Sequence, residues 1–284
     1  MPAEIINGKE LAKQIRENMK EEVSDLREQG LVPHLTVVLV GDDPASRSYV
    51  NGKKKASAET GITSEIIELP ESTSEKDLLD TISELNGNPE VHGILVQLPL
   101  PKAISEQKVI EHINPEKDVD GFHPLNIGRM MTGKDTFLPC TPFGIVTMLK
   151  SKNIKIAGQH VVIIGRSNIV GKPVGQLLLN ENATVTYCHS KTKDLKEITK
   201  LADILIVAVG KPNVIGPDFI KQGTAVVDVG VNRLENGSLT GDVDFEAVKE
   251  IASYITPVPK GVGPMTITML LQNTIKAAKR LNNQ

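Results

Sequence analysis

The sequence predicts an α/β fold in two domains, an N-terminal α/β domain and a Rossmann-type dinucleotide-binding domain with a parallel sheet, with a cleft between them. Short, wholly apolar segments alternate with amphipathic helical patterns along the chain. This alternation lapses near residues 115–142, where proline and glycine accumulate, and then resumes. We therefore predict a first domain over 1–140, completed by a C-terminal helix over 267–284, and a second domain over 141–266.

The first domain opens with an amphipathic helix, because apolar residues recur at intervals of three and four from Leu11 to Leu26. Asn7, with Glu10 three residues later, marks its beginning, and Gly30 marks its end. The elements predicted next are strands at 35–40, 62–69 and 93–97 and helices at 44–60 and 74–86.

The second domain contains apolar segments separated by helical patterns, which is typical of a parallel sheet whose strands are buried on both faces. A last apolar pattern from Pro264 to Leu281 predicts a helix that packs back on the first domain. The strands of this domain are predicted at 160–165, 183–188, 203–210 and 224–230.

The composition excludes several classes of function. The 284 residues include 32 basic and 35 acidic side chains and only 3% aromatic residues, so neither nucleic acid nor a membrane surface is a predicted partner. No apolar run approaches the roughly 18 residues of a membrane span. Two distant cysteines, without a CxxC pair or a secretory signal, favour the cytoplasm. Six scattered histidines and the absence of HExxH predict no metal site.

A glycine-rich turn, "GRSNIVGKPVG", follows the first strand of the second domain and precedes a helix. Glycines in this position allow a tight turn and let a phosphate approach the start of the helix. The spacing of Gly165, Gly171 and Gly175 departs from GxGxxG, so the alternative is a turn that serves only packing. The position between a buried strand and a helix favours a dinucleotide site.

The end of the next strand indicates which dinucleotide is bound. A site for NAD usually has a carboxylate there, whereas this chain has "CHSKTK" at 188–193. His189, Ser190 and Lys191, together with Arg166, can hold a 2′-phosphate through charge-assisted hydrogen bonds. The sequence therefore favours NADP over NAD; the alternative is a solvated basic loop.

The segment "SYVNGKKKA" lies on the predicted helix at 44–60. Residues four apart share a helix face, so Tyr49 pairs with Lys53, while Lys54 and Lys55 point elsewhere, toward solvent. A lysine beside an aromatic ring in a cleft is partly desolvated, which lowers its pKa and makes the neutral amine available for acid–base work. The alternative is an ordinary surface lysine.

Seven separated segments together resemble one family: "PASRSYVNGKKKA", "GILVQLPLP", "PEKDVDGFHP", "PCTP", "GRSNIVGKPVG", "DVGVNR" and "ITPVPKGVGPMT". The chain is similar, nearly end to end and in the same order, to the bifunctional methylenetetrahydrofolate dehydrogenase / methenyltetrahydrofolate cyclohydrolase. It departs from that family at Lys260, where glycine is usual.

The resemblance implies that 5,10-methylenetetrahydrofolate is oxidised with NADP and that the methenyl product is hydrolysed to 10-formyltetrahydrofolate in one active site. It implies that Lys53 is required for hydrolysis, that Gln97 hydrogen-bonds to Lys53, and that Tyr49 stacks on the substrate. Asp118 is the carboxylate expected to hold the pterin, with Asp120 close by. The folate entrance is expected to be lined by Gly261, Val262, Gly263 and Pro264.

The resemblance also implies a set of cofactor-binding residues and a homodimer. Asp228, His123, Cys140 and Arg233 are polar or reactive too, but structural roles are favoured for them. The cofactor-binding residues are predicted to be Gly165, Arg166, Ser167, Val170, Gly171, Pro173, His189 and Ser190, with Gly210, Gly230, Val231 and Thr268 at the nicotinamide end.

Two other functions fit part of this sequence. A shikimate-type dehydrogenase also pairs a lysine-bearing substrate domain with an NADP domain, but it does not account for the "DVDG" and "QLPLP" segments. A non-catalytic NADP-sensing module has no use for Tyr49, Lys53 and Gln97.

Overall fold

The computed structural model describes residues 2–282 and contains two compact units. We call residues 13–140 and 267–282 the three-stranded unit, and residues 2–12 and 141–266 the six-stranded unit, after their main sheets.

Helices and strands alternate along both units. The helices are α1 (Gly8–Glu28), α2 (Pro44–Thr60), α3 (Glu75–Gly87), α4 (Glu106–His112), α5 (Pro124–Met131), α6 (Cys140–Ser151), α7 (Gly171–Asn180), α8 (Leu195–Thr199), α9 (Phe245–Val248) and α10 (Val262–Asn282). The strands are β1 (Glu4–Ile5), β2 (His34–Val40), β3 (Thr63–Leu69), β4 (Gly93–Val96), β5 (His160–Ile164), β6 (Thr184–Cys188), β7 (Ile204–Val207), β8 (Ala225–Asp228), β9 (Asn232–Arg233), β10 (Leu239–Thr240) and β11 (Tyr254–Ile255).

The three-stranded unit is built on a parallel sheet in the order β3-β2-β4. The central strand β2 is apolar and buried almost throughout, as its run of branched side chains predicts. Side chains from β2 and β4 pack with apolar residues of α3 and α4 into one core. This sheet places the carboxyl ends of β2 and β4 side by side, where the loops that follow them meet.

The six-stranded unit has a parallel sheet in the order β1-β11-β8-β7-β5-β6, with a separate two-stranded hairpin of β9 and β10. From β5 the chain moves outward to β6 and then returns to β7 on the other side of β5. The point between β5 and β7, where the strand order reverses, is where doubly wound sheets bind dinucleotides. The predicted Rossmann-type fold with a parallel sheet is confirmed.

Several elements differ from the sequence prediction. The strand β1 has only two residues, both exposed, and was not predicted; it pairs with β11 and so joins residues 2–12 to the six-stranded unit. Helix α4 was also missed. Helix α5 lies inside the region predicted to be irregular, although His123 caps it and Pro124 occupies its first turn, which are both signals of a helix start. Helix α6 begins inside that region as well.

Within residues 2–282, none of the helices combines the length and the apolar character that crossing a membrane requires.

Candidate active site

Helix α2 carries the lysine run, and its local sequence fixes where it begins and ends. The carboxylate of Asp43 accepts a hydrogen bond from the Ser46 amide at 2.7 Å, and Pro44 stands at the first position. Gly61 ends the helix in the left-handed conformation, which glycine adopts without strain. These two ends fix which residues belong to α2 and therefore which of them share a helix face.

One face of α2 is buried, and Lys53 lies on it. Val50, Lys53 and Ala56 recur at three-residue intervals and are buried, whereas Lys54 and Lys55 are exposed. Only 7% of the Lys53 surface is exposed. The predicted division of the lysine run into one inward and two outward side chains is confirmed.

The Lys53 amine is held in a single direction. Its Nζ donates to Gln97 Oε1 at 2.8 Å, and Gln97 Nε2 donates to the Leu98 carbonyl oxygen at 2.6 Å. Gln97 directly follows β4, so the sheet positions the acceptor. Burial lowers the pKa of Lys53, and the negative charge of Asp120 opposes that shift. One turn earlier, Tyr49 keeps 40% of its surface exposed, which leaves a ring face open to a ligand.

Asp118 is buried within its own loop, beside β4. It forms an isolated parallel bridge with Ile94, and its side chain is 2% exposed. Four N–H groups donate to its two oxygens, namely those of Gly121 (3.1 Å), Phe122 (3.3 Å), His123 (2.8 Å) and the Asn126 side chain (2.8 Å). These donors occupy the acceptor positions of the carboxylate. Asp118 therefore builds its loop, and its role toward the pterin stays a prediction.

Asp120 is the carboxylate that faces Lys53. Burial raises the pKa of Asp120 to about 6, and the nearby charge of Lys53 limits that rise. The Cys140 thiol lies beside it: Sγ donates to the Val119 carbonyl at 3.3 Å. Burial, and then the charge of Asp120, raise the pKa of Cys140 well above its usual value. Lys53, Asp120 and Cys140 thus form one cluster of titratable groups, in which Lys53 and Cys140 are buried and Asp120 is partly exposed.

A residue that the sequence analysis did not single out, Asn273, fixes the backbone of this cluster. It lies on α10, is 2% exposed, and its Nδ2 donates to the carbonyl oxygens of Val119 (2.8 Å) and Leu138 (2.9 Å). The loop that carries Asp120 and the segment before Cys140 are therefore joined through one side-chain amide. An asparagine in the middle of an apolar helix pattern was its only sequence signal.

In the six-stranded unit, the glycine-rich turn brings backbone close to backbone. Gly165 has φ +132°, and a Cβ there would overlap the Ala208 carbonyl oxygen. Gly171, at the first position of α7, lies against the Gly165 carbonyl. Ser167 Oγ accepts from the amides of Val170 (3.1 Å) and Gly171 (3.3 Å). This compact turn between a strand and a helix fits the diphosphate of a dinucleotide.

Basic and polar side chains lie next to that turn. The Gly165 amide donates to the Cys188 carbonyl oxygen at 2.9 Å, so Arg166 and His189, the next residue of each segment, are neighbours. Arg166, Ser190 and Lys191 are exposed. This set fits a 2′-phosphate, since it offers a guanidinium, an ammonium and a hydroxyl and no carboxylate.

The other predicted site residues are spread along the loops. Val231 is 45% exposed after β8, and Gly210 follows β7. Pro173 is buried within α7, where it packs. Thr268 is 0% exposed and accepts a hydrogen bond from Arg16 Nη1 at 3.0 Å, and its place beside the nicotinamide stays a prediction. The predicted entrance residues stand at the beginning of α10: Gly261, Val262, Gly263 and Pro264.

Across the described part of the chain, no group of three or more His, Cys, Asp or Glu side chains is placed to hold a metal ion.

These features define a class of protein. The six-stranded unit has the fold and the basic residues of an NADP-binding domain, and the three-stranded unit holds a desolvated lysine beside a carboxylate. Together they define a nucleotide-dependent enzyme that also performs acid–base chemistry.

Two family models match this chain. Residues 6–120 match the catalytic domain of tetrahydrofolate dehydrogenase/cyclohydrolase, and residues 139–282 match the NAD(P)-binding domain of the same family. The chain therefore belongs to the tetrahydrofolate dehydrogenase/cyclohydrolase family, and the resemblance inferred from its sequence is confirmed.

Individual relatives are similar to this chain along nearly its whole length. The "Bifunctional protein FolD" of Oceanobacillus iheyensis is 66% identical, over 99% of both chains. The crystal structure of the bifunctional enzyme from Campylobacter jejuni is 51% identical, with a TM-score of 0.96 over 98% of this chain and 99% of that one. The Trypanosoma brucei structure, solved with NADP and an inhibitor, is 38% identical, with a TM-score of 0.96 over 100% of both chains. A shikimate dehydrogenase from Aquifex aeolicus has a TM-score of 0.52 at 14% identity, which shows the fold alone.

Proposed function

We infer that this chain oxidises 5,10-methylenetetrahydrofolate with NADP and hydrolyses the resulting 5,10-methenyltetrahydrofolate to 10-formyltetrahydrofolate. The observation that carries this inference is the Lys53 amine, buried, hydrogen-bonded to Gln97 and close to Asp120. A binding module does not require a desolvated amine, because burying one costs stability. Acid–base catalysis gains from it, because desolvation makes the neutral amine available near neutral pH.

For the oxidation, the chain's own task is to bind and orient. When bound, NADP supplies the acceptor for the hydride that leaves the methylene carbon. The turn at Gly165 offers backbone close to the diphosphate, and Arg166, Ser190 and Lys191 supply donors for the 2′-phosphate. We propose that these contacts make the enzyme prefer NADP over NAD.

For the hydrolysis, we propose that Lys53 moves the protons. The methenyl carbon is part of a cation, so water can attack it without a Lewis acid. Neutral Lys53 accepts a proton from the attacking water as the C–O bond forms. It then returns that proton to the leaving nitrogen as the C–N bond breaks, and the hydroxyl group on the same carbon releases its remaining proton to solvent as the formyl C=O forms. Such catalysis typically contributes about 10²- to 10⁴-fold to the rate, and the lowered pKa of Lys53 increases the neutral fraction.

We propose that Asp120, rather than Asp118, accepts hydrogen bonds from the pterin. The oxygens of Asp118 already accept four N–H donors of their own loop. Asp120 retains partial exposure and faces Lys53. A charged Asp120 can therefore accept from both a ring N–H and an exocyclic amine, while Tyr49 covers the ring.

We also propose that the protein is a homodimer and acts in the cytoplasm. Both proposals rest on the family, and no surface is assigned to the dimer. Light scattering of the purified protein and fractionation of cells test them; a monomer at micromolar concentration, or recovery outside the cytoplasm, would contradict them.

The proposed function is tested by spectroscopy on the wild-type protein. With NADP and 5,10-methylenetetrahydrofolate we expect the absorbance of reduced nicotinamide to appear, and with 5,10-methenyltetrahydrofolate alone we expect the methenyl absorbance to decay. A parallel reaction with NADP and shikimate should give no signal. Reduction of NADP by shikimate, or no turnover of either folate, would contradict the proposal.

A further inference from the structure

Asp242 is a buried carboxylate in the six-stranded unit that the proposed reaction does not use. It is 0% exposed. Three consecutive backbone amides of the loop after β7 donate to it, as does one side-chain amide. These donors are the N–H groups of Val209 (2.7 Å), Gly210 (2.9 Å) and Lys211 (2.9 Å) and Nδ2 of Asn232 (2.9 Å).

A second buried carboxylate, Asp228, holds Asp242 in place. Asp228 Oδ1 accepts from the amides of Asp242 and Gly230, both at 3.0 Å, and Oδ2 accepts from the Val243 amide at 2.9 Å. The packing is close: a Cβ at Gly230 would overlap the Asp242 carboxylate. The two carboxylates therefore form one rigid connection between the segments that follow β7 and β8.

The loop that Asp242 holds lies at the switch point of the sheet. Ala208, the residue just before this loop, donates its N–H to the Ile164 carbonyl oxygen at 2.8 Å. The carbonyl oxygen of Ala208 lies against Gly165 of the glycine-rich turn. Doubly wound sheets bind dinucleotides in the crevice at this point. The loop 209–211 is thus a wall of that crevice, formed by backbone.

The conformation of that wall depends on Asp242. Gly210 has φ +67°, and the segment 208–210 belongs to no helix or strand. Three successive N–H groups that converge on one anion form a nest, and the anion here is supplied by the protein. Hydrogen bonds to a charged acceptor are about twice as strong as neutral ones. Without the carboxylate, the three amides would lose their common acceptor, and the loop 209–211 would lose its fixed conformation.

We propose that Asp242 is a positioning residue for the dinucleotide. It fixes the loop 209–211, and through Asn232 the segment after β8, in the conformation that receives the nicotinamide half of NADP. This proposal rests on the proposed NADP-dependent function. A carboxylate with a purely structural role would change the stability of the protein without changing its affinity for NADP.

The test is the variant Asp242→Asn, assayed for both half-reactions. An amide cannot accept from all four donors, because its Nδ2 is itself a donor. We expect the KM and Kd for NADP to rise about tenfold, which corresponds to roughly one lost hydrogen bond to a charged group. Hydrolysis of methenyltetrahydrofolate, measured without nucleotide, should stay within about twofold of the wild-type rate, as expected for a site in the other unit.

A second variant guards against a folding defect in the first. Asn232→Ala removes one of the four donors and should raise the KM for NADP about threefold. Its matched control is Asn236→Ala, in the same hairpin but exposed, which should leave the KM unchanged.

The outcomes separate the two proposals. If Asp242→Asn hydrolyses normally and binds NADP like the wild type, the role of Asp242 is refuted. If Asp242→Asn does not fold, an unchanged KM in Asn232→Ala refutes it instead. If the wild-type protein fails to reduce NADP, the proposed function itself is wrong.

Discussion

Each of the two units holds a pair of neighbouring aspartates, and the pairs differ in what surrounds them. In the three-stranded unit the pair is Asp118 and Asp120, and in the six-stranded unit it is Asp228 and Asp242. One member of each pair, Asp118 or Asp242, accepts four N–H donors and thereby fixes a loop.

The other two aspartates, Asp120 and Asp228, show how the surroundings of the two pairs differ. Burial raises the pKa of both Asp120 and Asp228 to about 6. Asp228 accepts backbone amides, whereas Asp120 lies near the Lys53 amine and the Cys140 thiol. A raised pKa therefore does not by itself mark a reactive carboxyl group. The groups around a carboxylate decide its role. A carboxylate that accepts from backbone amides holds a loop in place, whereas one beside a titratable side chain can take part in proton transfer.

The largest effect on stability is expected from breaking the scaffold of the three-stranded unit. Asp118→Asn places an amide Nδ2 among N–H donors, which leaves at least one of them unsatisfied in the interior. We expect the free energy of unfolding to fall by about 3 kcal/mol. We also expect both half-reactions to be lost. Thermal unfolding checks this, and a variant with wild-type stability would show that Asp118 is not a scaffold residue.

Asp120→Asn tests the reactive member of that pair. Asp120 is charged above its pKa of about 6 and neutral below it, so the wild-type KM for the folate should rise as the pH falls through about 6. The asparagine variant should have a KM about tenfold higher, without this inflection. Measurements of the KM for the folate from pH 5 to pH 8, on both proteins, check this prediction. An inflection that persists in Asp120→Asn would assign the titration to another group.

Arg166→Ala tests the cofactor side. Removing the guanidinium should raise the KM for NADP about tenfold and leave that for NAD nearly unchanged, because only NADP carries the 2′-phosphate. Steady-state kinetics with both nucleotides provide the measurement and its internal control. Equal losses for the two nucleotides would remove Arg166 from the 2′-phosphate site.

The smallest expected effect is on the stability of the loop at Lys260, where a residue other than glycine has a positive φ. Lys260 has φ +85°, and its carbonyl oxygen accepts from the Lys9 amide at 3.0 Å. Lys260→Gly relieves a strain of about 1 kcal/mol and costs about half of that in chain entropy, so a gain near 0.5 kcal/mol is expected. Lys260→Ala is the control, because it keeps the Cβ and should give no gain. Equal gains in both variants would show that the backbone is not strained.

Much of the fold could be predicted because it depends on local patterns. The wholly apolar strands, the caps of α2 and the inward face containing Lys53 are all readable from residue spacing. The strand β1 could not be predicted, since two exposed residues carry no periodicity and their partner, β11, lies some 250 positions away. Such pairing is decided by tertiary contacts.

The site was only partly predictable for a similar reason. Lys53, Gln97 and the glycine-rich turn have local signals, but nothing in "DVD" tells which aspartate turns toward the lysine. That choice follows from the amides that converge on Asp118. Asn273 and Asp242 act through backbone atoms far away in sequence, so their roles appear only in three dimensions.

The most direct test of the account compares Lys53→Met with Lys54→Met in both half-reactions. These lysines are adjacent on α2, one buried and one exposed. We predict that Lys53→Met slows the hydrolysis of methenyltetrahydrofolate by about 10²- to 10⁴-fold while NADP binding persists, and that Lys54→Met leaves both half-reactions within about twofold. Hydrolysis at the wild-type rate by Lys53→Met would contradict the claim that this buried amine carries the protons.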